Sequence, residues 1–224
     1  MEDFSNIINW DSVDNQSNSF KNQTPFCFAF IEDFLNREFY EKLFETYPKI
    51  DETWTLAETS TKTQFIKFWN GLGPNDVVVH DDDPQYSEEW NKFKRYAHSE
   101  EFVEKIRKFS GVTVNKLKYF NFMSYSKGGF QEPHIHNVGP STLIIMIYLS
   151  KNWVKGSPGG TYMASDTNES SIIFEPYNLD NSVIIFQDGP KAAHGIRLIT
   201  KDVERRALQI TLEGYSTDKG WTGE

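Results

Sequence analysis

The sequence predicts an α+β chain whose second half is a double-stranded β-helix (jelly roll), with N-terminal helices bracing one sheet. Before Gly111, apolar residues recur at helical spacing. After it, short strand-forming runs follow one another, separated by Gly, Pro and Asn. The composition, 38% hydrophobic and 15% aromatic over 224 residues, suits a folded core of one domain. No window approaches the apolar length needed to cross a bilayer.

Taken in order, residues 1–22 are rich in Asn, Ser and Asp and read as a loosely ordered lead-in to a single domain over 23–224. Phe26-Cys-Phe-Ala-Phe-Ile31 reads as a short buried strand. Phe39, Leu43, Phe44 and Tyr47 recur at helical spacing over 37–47, and Pro48 ends that run. Residues 50–90 read as irregular, with Gly71-Leu-Gly-Pro-Asn75 and the acidic His80-Asp-Asp-Asp-Pro84 marking loops. A histidine beside three solvated aspartates reads as loop surface rather than a metal site. Trp90, Phe93, Tyr96, Phe102, Ile106 and Phe109 are spaced for one or two helices with a break near His98-Ser99. Strands are then expected over 112–126, 143–149, 161–164, 171–175, 182–186, 195–199 and 205–212.

Charge and cysteine content narrow the function. A net charge of −9 argues against a phosphate-tracking surface, so a small-molecule or peptide substrate is expected and nucleic acid is not. The single cysteine, Cys27, excludes an internal disulfide and reads as a small core residue. The start Met1-Glu-Asp-Phe carries neither a basic nor an apolar leader region, so a cytoplasmic, membrane-free setting is expected. Oligomeric state is not encoded in any pattern.

The chemistry concentrates in Tyr125-Ser-Lys-Gly-Gly-Phe-Gln-Glu-Pro-His134-Ile-His136, with His194 and Arg205 further on. Histidines at i and i+2 of a strand point to one face, so both imidazoles can reach one ion while Ile135 points away. A third histidine from a distant strand would complete three protein ligands on one side of a metal, leaving positions open for substrate and oxygen. On 205–212, alternation puts Arg205, Ala207, Gln209 and Thr211 on a polar face and Arg206, Leu208, Ile210 and Leu212 against the helices.

Several segments together resemble the iron(II)/2-oxoglutarate-dependent oxygenases of prolyl-hydroxylase-like type. They are Tyr125-x-x-Gly128 with His134-x-His136, the Tyr148-Leu149 to Gly159-Gly160-Thr161 hairpin, Ser182-Val-Ile-Ile-Phe186 with His194, and Arg205-Arg-Ala-Leu208. The opening Pro25-Phe to Phe34-Leu35 and its helix also fit, so the resemblance runs from about 25 to 214. It implies Fe(II), 2-oxoglutarate as cosubstrate and O2, with hydroxylation of an amino acid, peptidyl residue or other small molecule and release of succinate and CO2. It implies that His134, His136 and His194 hold the metal and act in catalysis, and that Arg205, helped by Tyr125, anchors the cosubstrate. Arg205 is preferred over Arg206 by strand alternation, with Arg197 the remaining candidate; only guanidinium offers a carboxylate a planar two-pronged contact.

The chain departs from that family at His136, where the pattern expects Asp. Three readings stand: His136 binds iron; it points aside, and water or a carboxylate such as Glu132 or Asp188 takes its place; or the chain is a non-catalytic relative. A cupin-like three-histidine dioxygenase that does not use 2-oxoglutarate is a further alternative, since Gly128-x5-His134-x-His136 resembles the start of a cupin motif. It lacks the expected glutamate and would leave Arg205 without a task. Tyr119, Asn121 and Met123 share the face of Tyr125 and are candidates to line a pocket. Gly159-Gly160 reads as a turn with close strand packing. Trp153 either covers the barrel mouth or packs locally.

Overall fold

The computed structural model describes residues 2–69 and 82–214. The sequence-marked loop at 71–75 and the residues His80 and Asp81 lie outside them. The elements run α1 (Trp10–Asp14), α2 (Ser17–Asn22), β1 (Phe28–Glu32), α3 (Arg37–Glu45), β2 (Thr55–Thr59), β3 (Lys62–Phe68), α4 (Glu88–His98) and α5 (Glu100–Ser110). Strands follow: β4 (Lys116–Tyr125), β5 (Phe130–His134), β6 (Thr142–Leu149), β7 (Tyr162–Ala164), β8 (Ile172–Phe174), β9 (Asp180–Gln187), β10 (Ala193–Ile196) and β11 (Arg205–Glu213).

All the pairings are antiparallel, in the order β1-β9-β6-β11-β4-β3-β5-β10-β7-β8, with β2 paired to β3. The sheet curls as a double-stranded β-helix, so its faces have different jobs. On β6, Leu143, Ile145, Ile147 and Leu149 join the core packed against the helices, whereas Ile144, Met146 and Tyr148 belong to the interior cluster. On β11, Leu208, Ile210 and Leu212 face the helices and Ala207 faces inward, as strand alternation predicts. Tyr47 ties the layers together: its hydroxyl lies 2.9 Å from the carbonyl of Met123 and 3.0 Å from that of Ala207. The helical break falls where expected. Ser99 closes α4 and caps α5, its hydroxyl accepting from Phe102 N at 3.2 Å.

Two expectations fail. The segment read as a loosely ordered lead-in carries α1 and α2, and Ile7, Ile8, Val13 and Phe20 are each 0–2% exposed. Its apolar residues are few, which hides them in an average, but each meets a partner; Phe20 packs on Phe109 with ring centroids 5.0 Å apart. The segment read as irregular contains the β2–β3 hairpin, and β3 inserts between β4 and β5. Both faces of β3 mix polar and apolar side chains: Gln64 and Ile66 point into the interior, Phe65 and the buried Lys67 to the other side. That mixing erases the period-two signal. Among the described residues no helix is long and apolar enough to cross a membrane.

Candidate active site

Strand register brings two distant histidines together. His194 on β10 is the direct partner of His134 on β5, and their ring centroids stand 4.3 Å apart. His136 completes the group at 5.0 Å from each, and one ring nitrogen from each of the three lies within 4.8 Å of the others. The geometry differs from the expectation in one detail. β5 ends at His134, so His136 lies past the strand rather than on it.

Hydrogen bonds set the tautomers. Nδ1 of His134 lies 3.0 Å from the Glu132 carbonyl, and Nδ1 of His194 lies 2.8 Å from that of Ala192. A carbonyl only accepts, so both Nδ1 atoms carry the proton and, in the neutral ring, both Nε2 atoms keep a lone pair. Nδ1 of His136 faces Asp188 Oδ2 at 2.7 Å. Burial holds His194 well below the usual histidine value, with His134 and His136 adding to the effect, and loss of solvation also lowers His134. Both rings are therefore neutral near pH 7, the form a metal requires.

Arg205 starts β11 opposite Tyr125 and is 0% exposed. Its Nε donates to the Gly159 carbonyl at 3.1 Å and its Nη2 to Thr161 Oγ1 at 3.0 Å. The guanidinium sits between the rings of Tyr125 and Tyr148, at 4.9 and 5.0 Å from their centroids. Nη1 is buried without a hydrogen-bond partner, and among the described residues no carboxylate pairs with this charge. The competing arginines are committed elsewhere: Arg206 pairs with Glu204 at 2.9 Å on the helix side, and Arg197 with Glu175. Tyr125 is fully buried and its hydroxyl, raised by that burial, donates to Gln64.

A cavity of about 130 Å³ is lined by the three histidines, Thr161, Gln64, Gln131 and Gln209 on its polar side and by Met123, Met146 and Phe186 among others; Arg205 and Tyr125 do not line it, but each bonds a residue that does, Thr161 and Gln64. Of the three residues sharing the face of Tyr125, Met123 lines it. Larger surface clefts of about 480 and 430 Å³ have no histidine in their linings.

The sequence matches no family model and no curated protein. Solved structures do match. A Pseudomonas putida prolyl-4-hydroxylase aligns with TM-score 0.62 at 13% identity, over 92% of this chain and 100% of that one. A Trichoplax adhaerens prolyl hydroxylase, solved with a hypoxia-inducible-factor peptide fragment, aligns with TM-score 0.61 at 12% identity, over 92% and 89%. HygX from Streptomyces hygroscopicus, solved with nickel, 2-oxoglutarate and hygromycin B, aligns with TM-score 0.55 at 11% identity, over 89% and 86%. The fold is that of the 2-oxoglutarate/Fe(II) oxygenases.

Within this oxygenase fold, several interior residues have contacts that the sequence reading did not assign to them. Thr161 and Gly159, which hold Arg205, are 44 and 46 residues away from it. Gly159 sits at φ +142°, and a Cβ there would stand 2.4 Å from the Trp153 ring, so only glycine brings this carbonyl to the guanidinium. Trp153 itself is 8% exposed and packs locally. Gln64 falls in the segment read as irregular. Cys27 is half-buried at the edge of a surface cleft, and burial pushes its thiol up.

Proposed function

We propose that the chain is an Fe(II)- and 2-oxoglutarate-dependent oxygenase, in which His134, His136 and His194 hold the metal and Arg205 receives the far carboxylate of the cosubstrate. The observation that carries this reading is that two unmet demands lie next to one small cavity. Nitrogen ligands converge on it, and behind Thr161, which also lines it, stands a buried guanidinium with a spare Nη1. Both fit the groups assigned to them: imidazole Nε2 lone pairs suit Fe(II), and a buried cation lacking a carboxylate is costly until one arrives. Bound there, Fe(II) and 2-oxoglutarate would supply O2 activation with release of succinate and CO2, one oxygen atom going to a C–H bond.

The chain's own contribution is binding, orientation and exclusion of water. Gly159 and Thr161 fix the guanidinium plane, and the Tyr125 and Tyr148 rings flank it. At roughly 30 Å³ per water, the cavity equals only about four waters. The molecule to be hydroxylated, a peptide or small metabolite, therefore approaches from outside, where His136 is 28% and Ile135 is 45% exposed. The 2-oxoglutarate-independent, cupin-like alternative leaves the Arg205 charge unexplained.

Anaerobic titration with Fe(II) and then 2-oxoglutarate tests the reading through the visible charge-transfer band of the chelate. Iron binding without the band removes the cosubstrate from the proposal; no iron binding removes the enzyme reading altogether.

A further inference from the structure

His136 is held differently from the other two histidines. Nδ1 of His134 and of His194 bonds the carbonyl of the residue two positions earlier, Glu132 and Ala192, so the local backbone aims each ring. His136 lies beyond the end of β5 and is aimed by a side chain 52 residues away, Asp188. That carboxylate is itself fixed. Its side chain is 0% exposed, Oδ2 accepts from His136 at 2.7 Å, Oδ1 accepts from Gly189 N at 2.9 Å, and its own N–H donates to the Thr142 carbonyl at 3.0 Å.

We infer that Asp188 is the positioning residue for His136, and that the His136–Asp188 pair delivers in two parts what one ligating carboxylate would deliver in one. The imidazole supplies the ligand atom, and the buried carboxylate supplies the negative charge one hydrogen bond behind it. This rests on the metal-site reading above. Three neutral imidazoles leave a divalent cation with its full charge. An anion bonded to the outer nitrogen of one ring raises that ring's basicity and offsets part of the charge. The position is buried and rigid, so the offset is not screened as it would be at the surface. Asp188 is not interchangeable with a ligand: the nitrogen cluster comprises the three histidines, and the carboxylate stands outside it.

The test compares wild type, D188N, H136D and H136D/D188N in anaerobic Co(II) and Fe(II) titrations, with apo melting as a fold control. Asn removes the charge and keeps one acceptor oxygen, enough for Nδ1–H of His136 but only by giving up the bond from Gly189 N; the apo melting control reads the cost of that second loss. D188N should bind metal about 10- to 100-fold more weakly. Its Fe(II)–2-oxoglutarate band should move to shorter wavelength, because a more electron-poor metal gives up its electron less readily. H136D alone places a second carboxylate beside Asp188, so H136D/D188N should bind metal more tightly than H136D. Unchanged affinity and band in D188N, or an equal loss from D188N in both backgrounds, would overturn the inference while leaving the oxygenase reading intact. A wild type that binds no metal would overturn both. One measurement needs no variant: ¹⁵N-imidazole NMR of the unmodified protein with added Zn(II). All three Nε2 signals should shift, with a His136 Nδ1–H proton persisting at low field; a His136 ring unmoved by Zn(II) would overturn the pairing.

Discussion

Replacing Arg205 with Met gives the sharpest separation between the two ends of the proposed site. Met fills similar volume and carries no charge. It loses the bonds to Gly159 and Thr161 and the unpartnered Nη1 that awaits an acceptor. Truncating one partner of a buried, hydrogen-bonded charge pair costs about 2–5 kcal/mol. At about 1.4 kcal/mol per decade, 2-oxoglutarate should bind about 30- to 4,000-fold more weakly. Metal affinity should not follow, since none of the Arg205 bonds involves a histidine. The assay is thermal stabilisation of the Zn(II)-loaded protein by 2-oxoglutarate. At a concentration about 100 times the wild-type Kd, ligand contributes about 2.7 kcal/mol. A 30-fold weaker site at the same concentration retains less than about 0.9 kcal/mol. R205K, which keeps the charge without the fork, should fall between. Wild-type stabilisation in R205M would refute the assignment of Arg205 as anchor, and a parallel loss of Zn(II) binding would refute the separation of the two ends.

Three further outcomes follow from the geometry. With His194 held far below and His134 below the usual value by burial, the unfolded chain binds more protons once pH falls under about 6.5. Stability is then present above that pH and lost below it, at no more than about 1.4 kcal/mol per pH unit per ring; the apo Tm-versus-pH slope should be shallower in H194A, and an identical slope would contradict this. Gly159→Ala forces a Cβ onto Trp153 at a φ that disfavours L side chains, so denaturant unfolding should register a loss of about 1–3 kcal/mol or more. Calorimetry should show 2-oxoglutarate affinity falling with it as the carbonyl under Arg205 moves. Phe20→Ala should cost about 3–5 kcal/mol in urea unfolding if the opening segment belongs to the core; a change within about 0.5 kcal/mol would be the behaviour of a loose surface.

The parts legible in the sequence were those whose residues obey a period or a spacing. β11 alternates because one face meets helices and the other the interior, whereas β6 reads as a strand from an unbroken apolar run buried on both faces. The His134-x-His136 spacing and the strand before His194 foretold a convergence that the β5–β10 register delivers. What stayed hidden depends on contacts between segments far apart in the chain. Nothing local to Thr161 marks it as a partner for Arg205, and nothing near Asp188 marks it as the acceptor for His136 rather than a ligand. β3 was hidden for another reason: its interior face carries Gln64 beside Ile66, so the site's own polarity cancels the strand signal. Ile7, Ile8 and Val13 were hidden by dilution, since burial depends on where a side chain lands and not on how many neighbours share its character.

The division of labour between the two faces of the sheet explains how the chain tolerates its interior. Arg205, three histidines and the glutamines Gln64, Gln131 and Gln209 occupy inward positions where an ordinary barrel would place aliphatic side chains. An unpaired buried guanidinium alone works against folding by several kcal/mol. The opposite face compensates. Leu143, Ile145, Ile147 and Leu149 of β6, with Leu208, Ile210 and Leu212 of β11, are all 0% exposed against the helical layer. At about 1.5–3 kcal/mol for each fully buried aliphatic side chain, these seven positions outweigh that interior cost. The helices are thus more than padding: by covering an apolar face of β6 and β11, they supply burial that the polar inward positions, set among Ile144, Met146 and Phe186, do not.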